Sequence, residues 1–366
     1  MTGSNRVACP RENGCAPGVP FTRAVTLRPV AQVLNDAGAS ADAHLAAARI
    51  DPDVLDRPET PVPLFFAIAF VDRAARVEGI ADLGLLAADR LNGFTGLGAF
   101  GTRLSRAPSA VGYLCDGARL VPRLTSGARY GLRRRRGELR FHIAQPHART
   151  EQSAHAELYA VLATIRTLEA FAACPWRPAS LRVPPWCRIG PEGRDRLAID
   201  RIERDGDDFS FPVEPWLLPR ANPCLDRAHV ASPALPPHPS GLAAGVSAVL
   251  DGLHAFGDGT IALAAEAAGS SVRTLQRRLQ AEKTSFARLQ HERRLRRATR
   301  LLLATGEPVT EIAIALGYED AANFTRAFRS YAGCSPTAFR SANAAPHGDI
   351  AARQRATARV GETSRA

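Results

Sequence analysis

The feature that most restricts the fold of this chain is a pattern that occurs twice near its C-terminal end. Ala265-Glu-Ala-Ala-Gly269 matches Ala313-Ile-Ala-Leu-Gly317, and the two glycines are 48 positions apart. A small residue four positions before a glycine is typical of a helix-turn-helix. The alanine permits close approach of the second helix, and the glycine takes the left-handed conformation that ends the first. The repeat therefore predicts two helix-turn-helix units.

The segment that follows each glycine holds an arginine between two apolar residues. The two copies are Leu275-x-Arg277-x-Leu279 and Phe324-x-Arg326-x-Phe328. We expect the apolar residues to be buried, and the face beside them to carry Arg273, Gln276, Arg277 and Gln280 in the first unit and Asn323, Arg326 and Arg329 in the second. Such side chains suit nucleic acid, because arginine pairs with guanine and glutamine or asparagine with adenine, each worth about 1–3 kcal/mol of discrimination.

The whole segment from residue 241 to 341 has an all-helical pattern. The predicted helices are Leu242–Ala255, Ile261–Ala268, Val272–Glu282, Phe286–Leu303, Val309–Leu316 and Ala322–Tyr331. The long fourth helix joins the two units and can hold their second helices about 34 Å apart, one turn of duplex DNA. Residues 260–341 also hold 13 Lys and Arg against 7 Asp and Glu, which favours a polyanionic partner. The alternative is a plain helical bundle with arginines on its solvated face.

The domain boundaries follow from composition. A chain of 366 residues favours two domains, and residues 232–240 hold four prolines in nine positions, which suits a stiff spacer. We predict a flexible N-terminus over 1–20, an effector-binding and dimerisation domain over 21–230, a proline-rich linker over 231–240, a DNA-binding domain over 241–341 and a disordered tail over 342–366.

The N-terminal domain mixes helices and strands, so the predicted fold class is an α+β N-terminal domain followed by an all-α C-terminal domain with two helix-turn-helix subdomains joined by a linker helix. Asp82–Leu91 and Ala154–Ala172 are predicted as helices, the second one amphipathic. Ala128–Ile143 is predicted as two strands around Gly137, and Arg201–Phe211 as a hairpin that turns at Asp205-Gly206.

Residues 260–341 resemble the DNA-binding domain of AraC/XylS-type transcription regulators. Glu311–Arg340 (EIAIALGYEDAANFTRAFRSYAGCSPTAFR) matches the most characteristic stretch of that family, and His291–Leu303 (HERRLRRATRLLL) matches its linker helix. The resemblance implies that Ala322 also faces the bases. Ala321 and Ala322 stand where many relatives have polar residues, so apolar contact with thymine methyl groups is the expectation there. The candidate DNA-binding set is then Arg273, Thr274, Gln276, Arg277, Gln280, Ala322, Asn323, Arg326 and Arg329.

Residues 21 to about 225 resemble the arabinose-binding-like N-terminal domain of a branch of the same family that senses amino acids and other small metabolites. The resemblance is carried by GLLAADRLNGFTGLGAFG, YGLRRRRGELRFHI, WRPASLRV and FSFPVEPWLLPRANP. It implies a small-molecule effector of unknown identity and a homodimer.

Other motifs favour less specific interpretations. Gly96-Leu-Gly98-Ala-Phe-Gly101 fits a dinucleotide-binding spacing but follows a predicted helix instead of a strand, which favours a loop. The run Arg133–Arg136 could bind an anion but is better explained as the rim of a hairpin, and His142, His147 and His155 match no zinc-site spacing. With no catalytic motif, an enzyme, a cofactor and a metal are not expected.

The leading hypothesis is a sequence-specific DNA-binding transcription regulator that binds promoter or operator DNA and a small effector, with RNA polymerase as a further candidate partner. The sequence shows no secretory signal and no apolar run long enough for a membrane span, so a cytoplasmic protein with reduced cysteines is expected. Two alternatives use the same module. One is a DNA-repair alkyl-transfer protein, which would need close-set zinc-binding cysteines; Cys9 and Cys15 are six apart and no second close pair accompanies them, which counts against it. The other is an architectural DNA binder without an effector.

Overall fold

The computed structural model describes residues 18–91, 96–135, 137–145, 154–223, 241–252 and 259–343. The chain divides into two compact units, Met1–Thr284 and Ser285–Ala366. The predicted proline-rich linker lies outside the described residues, as do nearly all of the predicted flexible N-terminus and disordered tail.

The first unit combines helices with two sheets, as predicted for an α+β region. Its helices are α1 (Arg28–Asp36), α2 (Ala41–Ala47), α3 (Leu64–Val77), α4 (Leu83–Asp89), α5 (Gly98–Leu104), α6 (Ala110–Leu124), α7 (Ala154–Ala172), α8 (Pro191–Leu197), α9 (Gly241–Gly252), α10 (Ile261–Ala267) and α11 (Val272–Ala281). Its strands are β1 (Phe21–Arg23), β2 (Pro61–Pro63), β3 (Arg129–Arg135), β4 (Glu138–Ala144), β5 (Leu181–Val183), β6 (Ile202–Arg204) and β7 (Phe209–Pro212).

The larger sheet has the strand order β3-β4-β7-β5-β6. Strands β3 and β4 form the predicted antiparallel hairpin, and Gly137 at its turn has a φ of +85°. The second predicted hairpin is wrong. Strands β6 and β7 flank the turn at Asp205-Gly206, but both pair with β5, which lies between them, parallel to β6 and antiparallel to β7. A short turn signal does not exclude a strand from earlier in the chain from entering between its two arms.

Helix α7 forms the centre of the core of the first unit. Its apolar positions Leu158, Val161, Leu162, Ile165 and Leu168 are all buried, which confirms the predicted amphipathic helix. They pack in one cluster with residues of the sheet, among them Phe141, Ile143, Phe209 and Phe211. Burial of so many large side chains on one helix face fixes α7 against the sheet, and helices α3 and α4 pack against α7 as well.

The second unit is all-helical, as predicted. It consists of α12 (Phe286–Ala304), α13 (Val309–Ala315), α14 (Ala321–Ala332) and α15 (Pro336–Asn343). Its core joins Phe324 and Phe328 to apolar residues of α12 and α13. Helix α15 was not predicted, although Ser335 followed by Pro336 is a common helix start: the Ser335 hydroxyl accepts a hydrogen bond from the Ala338 amide at 3.2 Å.

Candidate nucleic-acid interface and effector cavity

The two predicted turns have the same hydrogen-bonding pattern. In the first, Ser270 N–H donates to the Ala265 carbonyl at 2.9 Å and Gly269 N–H donates to the Glu266 carbonyl at 3.0 Å. In the second, Tyr318 N–H donates to Ala313 at 3.0 Å and Gly317 N–H to Ile314 at 2.9 Å. These are the paired bonds of a Schellman helix end, which require a left-handed residue at the glycine.

Both glycines adopt that left-handed conformation, with φ of +58° at Gly269 and +79° at Gly317. Ala265 and Ala313, four residues earlier, are both buried. The spacing of alanine and glycine is therefore set by one hydrogen-bonded ring, in which the alanine supplies the carbonyl and the residue after glycine supplies the amide. The predicted reason for the repeat is confirmed at both sites.

The second helix of each unit begins at a capping side chain. Ser271 caps α11 by accepting from the Thr274 amide at 3.2 Å, and Asp320 caps α14 by accepting from the Asn323 amide at 2.5 Å. Two residues separate Gly317 from Asp320, but only one separates Gly269 from Ser271. This extra residue explains why the glycines are 48 apart while Arg277 and Arg326 are 49 apart.

Helix α11 holds its candidate residues on one solvent face. Leu275 and Leu279 are fully buried, whereas Arg273, Gln276, Arg277 and Gln280 are exposed; Thr274 is half-buried, and its hydroxyl is hydrogen-bonded to Ser271 at 3.0 Å. With about 100° of rotation per residue, the residue midway between two leucines four apart points roughly opposite both. Arg277 therefore faces away from the core by helix geometry.

Helix α14 repeats this arrangement with phenylalanines. Phe324 and Phe328 are fully buried, and Ala322, Asn323, Arg326 and Arg329 are exposed. The Asn323 side-chain amide donates to the Asp320 carboxylate at 2.8 Å, so this amide is engaged within its own helix.

The exposed arginines of both helices make no ion pair within the described ranges. Arg340 in α15 behaves differently: its guanidinium donates to the backbone carbonyls of Leu302 at 3.2 Å and Glu307 at 2.7 Å. Arg340 thus binds carbonyls at and just after the C-terminal end of α12. Four other arginines remain available to an external anion: Arg273, Arg277, Arg326 and Arg329.

The first unit contains a cavity of about 350 Å³ that is partly open to solvent. It is lined by parts of α3, α4, α5, α6, α7 and the hairpin of β3 and β4. The face of α7 opposite the sheet contributes Tyr159, Ala163 and Thr167. A volume in this range is typical of a small-molecule site. None of the lining positions was predicted from the sequence, because they come from segments far apart in the chain.

Most polar groups of the cavity lining are paired. Thr22 is hydrogen-bonded to Thr125 at 2.9 Å, and the Thr164 and Thr167 hydroxyls donate to carbonyls one turn back in α7. Arg166 donates to Asp89 at 3.1 Å. Two buried atoms of the lining have no partner among the described residues: the Tyr159 hydroxyl and the Gln145 Oε1.

Burial also favours the uncharged forms of the tyrosines and of His155 in the lining. It raises the pKa of the Tyr113, Tyr130 and Tyr159 phenols above their ordinary range, and it lowers the pKa of His155. Tyr130 contributes to the shift of Tyr159, and Tyr113 to that of Tyr130, so the three phenols lie near one another. The interior of the cavity is a place of low polarity with a few hydrogen-bonding groups.

The remaining predicted motifs are found as follows. The prediction of a loop at the glycine motif is wrong, because Gly98–Leu104 is helix α5; the element described before it is helix α4. Arg133 and Arg134 are exposed in β3, and Arg136 and His147 lie outside the described residues, as do Cys9 and Cys15. In the part of the chain that the structure describes, no three His, Cys, Asp or Glu side chains group to hold a metal, and no helix is long and apolar enough to cross a membrane.

Comparison with known proteins identifies both parts of the chain. Residues 264–342 match a family model described as a helix-turn-helix domain, so the chain is a helix-turn-helix protein. Residues 38–186 match the arabinose-binding domain of the AraC transcription regulator N-terminus. With both domains in this order, the chain has the domain composition of AraC-type transcription regulators.

Individual relatives match about a fifth to a quarter of the chain. The HTH-type transcriptional regulator GadX of Escherichia coli O157:H7 is 36% identical over 80 residues, which is 21% of this chain and 29% of GadX. The transcriptional activator NphR of Rhodococcus sp is 37% identical over 87 residues, 24% of this chain and 26% of NphR. The alignments thus span less than a third of either relative. The crystal structure of the transcriptional regulator CdpR from Pseudomonas aeruginosa aligns over 87% of this chain and 98% of the CdpR chain. The sequence identity is 19% and the TM-score is 0.36.

Proposed function

We propose that this protein is a sequence-specific DNA-binding transcription regulator whose DNA affinity responds to a small molecule bound in the cavity of the first unit. The observation that carries the DNA-binding part is the exposed arginine, without an ion pair among the described residues, that lies between two buried residues in both α11 and α14. Each helix follows the same Schellman turn. Unpaired arginines on a helix face that points away from the core are suited to base edges and phosphates.

The candidate contacts are divided between the two helices. On α11 we propose Arg273, Thr274, Gln276, Arg277 and Gln280 for base or phosphate contact, and on α14 Ala322, Asn323, Arg326 and Arg329. Asn323 must exchange its bond to Asp320 for a base to read adenine, which favours Arg277 and Arg326 as the stronger determinants. The double-stranded operator would be bound in the cytoplasm by a homodimer formed through residues 21–230, with RNA polymerase as a further partner.

Effector control is supported by the elements that surround the cavity. Helix α3 lines the cavity through Leu64, Ala67, Ile68 and Val71 and also packs against α10, the first helix of the first helix-turn-helix unit. Around this contact, Arg49 pairs with Glu266 of α10 at 2.9 Å. A ligand that binds two arrangements of α3 with different affinity would shift their populations, and with them the position of α10 and α11.

The DNA-binding proposal is tested by titrating the full chain onto its own upstream intergenic DNA in the presence of random competitor, at two salt concentrations. We expect a competitor-resistant complex that is weaker at higher salt, since phosphate contacts release counterions. Arg277→Ala and Arg326→Ala should each weaken specific binding by about 1–3 kcal/mol without changing the thermal stability.

The matched control is Arg134→Ala, which removes the same charge from an exposed position of β3 and should leave specific binding unchanged. Equal losses of specific binding in Arg277→Ala, Arg326→Ala and Arg134→Ala would show that only the net charge of the protein matters. No complex with any DNA at low salt would overturn the proposal. The effector part is tested by filling the cavity with Gly117→Leu, which should change operator affinity; an unaltered isotherm would contradict control through this cavity.

A further inference from the structure

The chemistry of the cavity restricts the class of molecule that it can hold. One water molecule occupies roughly 30 Å³ in the liquid, so a cavity of about 350 Å³ has room for about a dozen non-hydrogen atoms. Most of the lining is apolar, contributed by residues such as Leu27, Ile68, Leu97, Phe100 and Leu114. A ligand that fills this space gains mainly from removing hydrocarbon surface from water.

Gly117 shows that space is kept open on one wall. It lies in the middle of α6 and lines the cavity, and a Cβ atom added there would meet nothing within 4 Å. Glycine inside a helix destabilises it by roughly 0.5–1 kcal/mol relative to alanine, and its backbone here has no left-handed φ that would require glycine. Helix stability and packing therefore do not explain glycine at this position, whereas the absence of a side chain does leave the cavity unfilled there.

A sugar does not match the polar groups that remain. The Tyr159 hydroxyl and Gln145 Oε1 are the two buried lining atoms without a partner among the described residues. The hydroxyls of Thr22, Thr164 and Thr167 are already hydrogen-bonded. A pentose has several hydroxyl groups, and each one buried without a partner costs about 1–3 kcal/mol.

A charged ligand is also disfavoured. Arg166 is the cationic side chain of the lining, and it is paired with Asp89 at 3.1 Å and Glu169 at 3.3 Å. Asp89 in turn accepts from Arg196 at 2.8 Å. The raised pKa of Tyr159 and the lowered pKa of His155 both result first from burial, which shows that charge is penalised in this interior. A carboxylate would have to compete with Asp89 and Glu169 for Arg166 or remain uncompensated.

We infer that the cavity binds an uncharged, largely hydrocarbon molecule of about a dozen non-hydrogen atoms that carries one hydroxyl or carbonyl group. A ligand hydroxyl can donate to Gln145 Oε1 and accept from the Tyr159 hydroxyl, whereas a carbonyl can accept from Tyr159 alone. This inference rests on the proposed effector function of the first unit. It also distinguishes this chain from the sugar specificity in the description of its N-terminal family model.

The test uses the full-length protein and three probes: n-decanol, n-decanoate and L-arabinose. Binding is measured by calorimetry and by the shift of the thermal midpoint in intrinsic tryptophan fluorescence. We expect saturable binding of decanol, with decanoate and arabinose at least about tenfold weaker because of the buried charge and the unpaired hydroxyls. Comparable or tighter binding of decanoate or arabinose would overturn the inference, and so would the absence of decanol binding.

Two variants locate the bound probe. Tyr159→Phe should weaken decanol binding about fivefold by removing one hydrogen bond. Its matched control is Tyr331→Phe, which makes the same change at an exposed position of α14 and should have no effect. Gly117→Leu should weaken decanol binding at least about tenfold by occupying the cavity, while the unliganded thermal midpoint is unchanged or higher.

A Gly117→Leu protein that fails to fold would show that the space beside α6 is not open, which contradicts the inference, and Tyr159→Phe then tests the polar contact separately. Operator binding in the absence of any probe is measured in parallel. DNA binding without decanol binding would refute the ligand class and leave the proposed DNA-binding function intact. Decanol binding without DNA binding would do the reverse.

Discussion

Three glycines of the first unit allow a direct test of the structure, because alanine should have a different effect at each for a different physical reason. At Gly117 a Cβ meets nothing within 4 Å and the backbone is not left-handed. At Gly269 the space is equally open, but φ is +58°. At Gly84 of α4 the Cβ would collide with the backbone carbonyl of His155 at the start of α7.

The magnitudes follow from these local environments. Gly117→Ala should stabilise by about 0.5–1 kcal/mol, through helix propensity and a less flexible unfolded chain. Gly269→Ala gains the same unfolded-state benefit but incurs about 1–2 kcal/mol for a left-handed L-residue, for a net loss of about 1 kcal/mol. Gly84→Ala should cost about 1–3 kcal/mol or more, because two helix backbones have to separate.

The assay is urea unfolding of the full chain followed by tryptophan fluorescence. All three tryptophans, Trp176, Trp186 and Trp216, lie in the same compact unit as the three glycines, so one transition reports on every variant. The order of stability should be Gly117→Ala above wild type, then Gly269→Ala, then Gly84→Ala. A destabilised Gly117→Ala protein would refute the open space beside α6, and an unaffected Gly269→Ala protein would refute the left-handed helix end.

Three further predictions concern charged groups. Arg340→Ala should lower the thermal stability of the second unit, because its carbonyl contacts are lost, whereas Arg326→Ala should lower only DNA affinity; melting and DNA titration of both variants separate the two roles. Asp320→Asn keeps a capping side chain but removes a negative charge beside Asn323, so DNA affinity at low salt should rise about two- to fivefold; an unchanged titration would place the start of α14 away from DNA. Burial, followed by the charge of Arg133, lowers the pKa of His142 from 6.5 to about 4, so the fold disfavours the protonated ring. The contribution of neutral His142 to the free energy of unfolding is therefore complete above pH 6.5 and is lost as the pH falls from 6.5 to 4. The urea midpoint of His142→Gln should decline less over that window than the midpoint of the wild type.

The parts of the fold that sequence reasoning predicted correctly depend on local interactions. The alanine-to-glycine spacing reflects one hydrogen-bonded helix end, and the leucine and phenylalanine pairs reflect one helix face, so both could be read from neighbouring residues. The β3–β4 hairpin was predicted for the same reason, since its strands adjoin its turn.

The parts that were missed depend on contacts between distant segments. The turn signal at Asp205-Gly206 could not predict that β5, from earlier in the chain, lies between β6 and β7. The cavity brings together Thr22, Gly117 and Tyr159, which no spacing pattern connects. The longest apolar run of the sequence, residues 62–71, is too short to cross a membrane, yet most of it belongs to α3, which both lines the cavity and packs against α10.

The position of α3 sets the size of the effect that a ligand has to produce. A tenfold change in operator affinity corresponds to about 1.4 kcal/mol of differential binding between two arrangements of the protein. A molecule that fills the cavity equally well in both arrangements changes nothing, however tightly it binds. Because each buried methylene contributes about 0.8 kcal/mol, a movement of α3 that exposes or buries two methylene groups of a hydrocarbon ligand is sufficient. A cavity lined mainly by apolar side chains can therefore supply the coupling through small changes in contact area, without a new ion pair or a change of protonation.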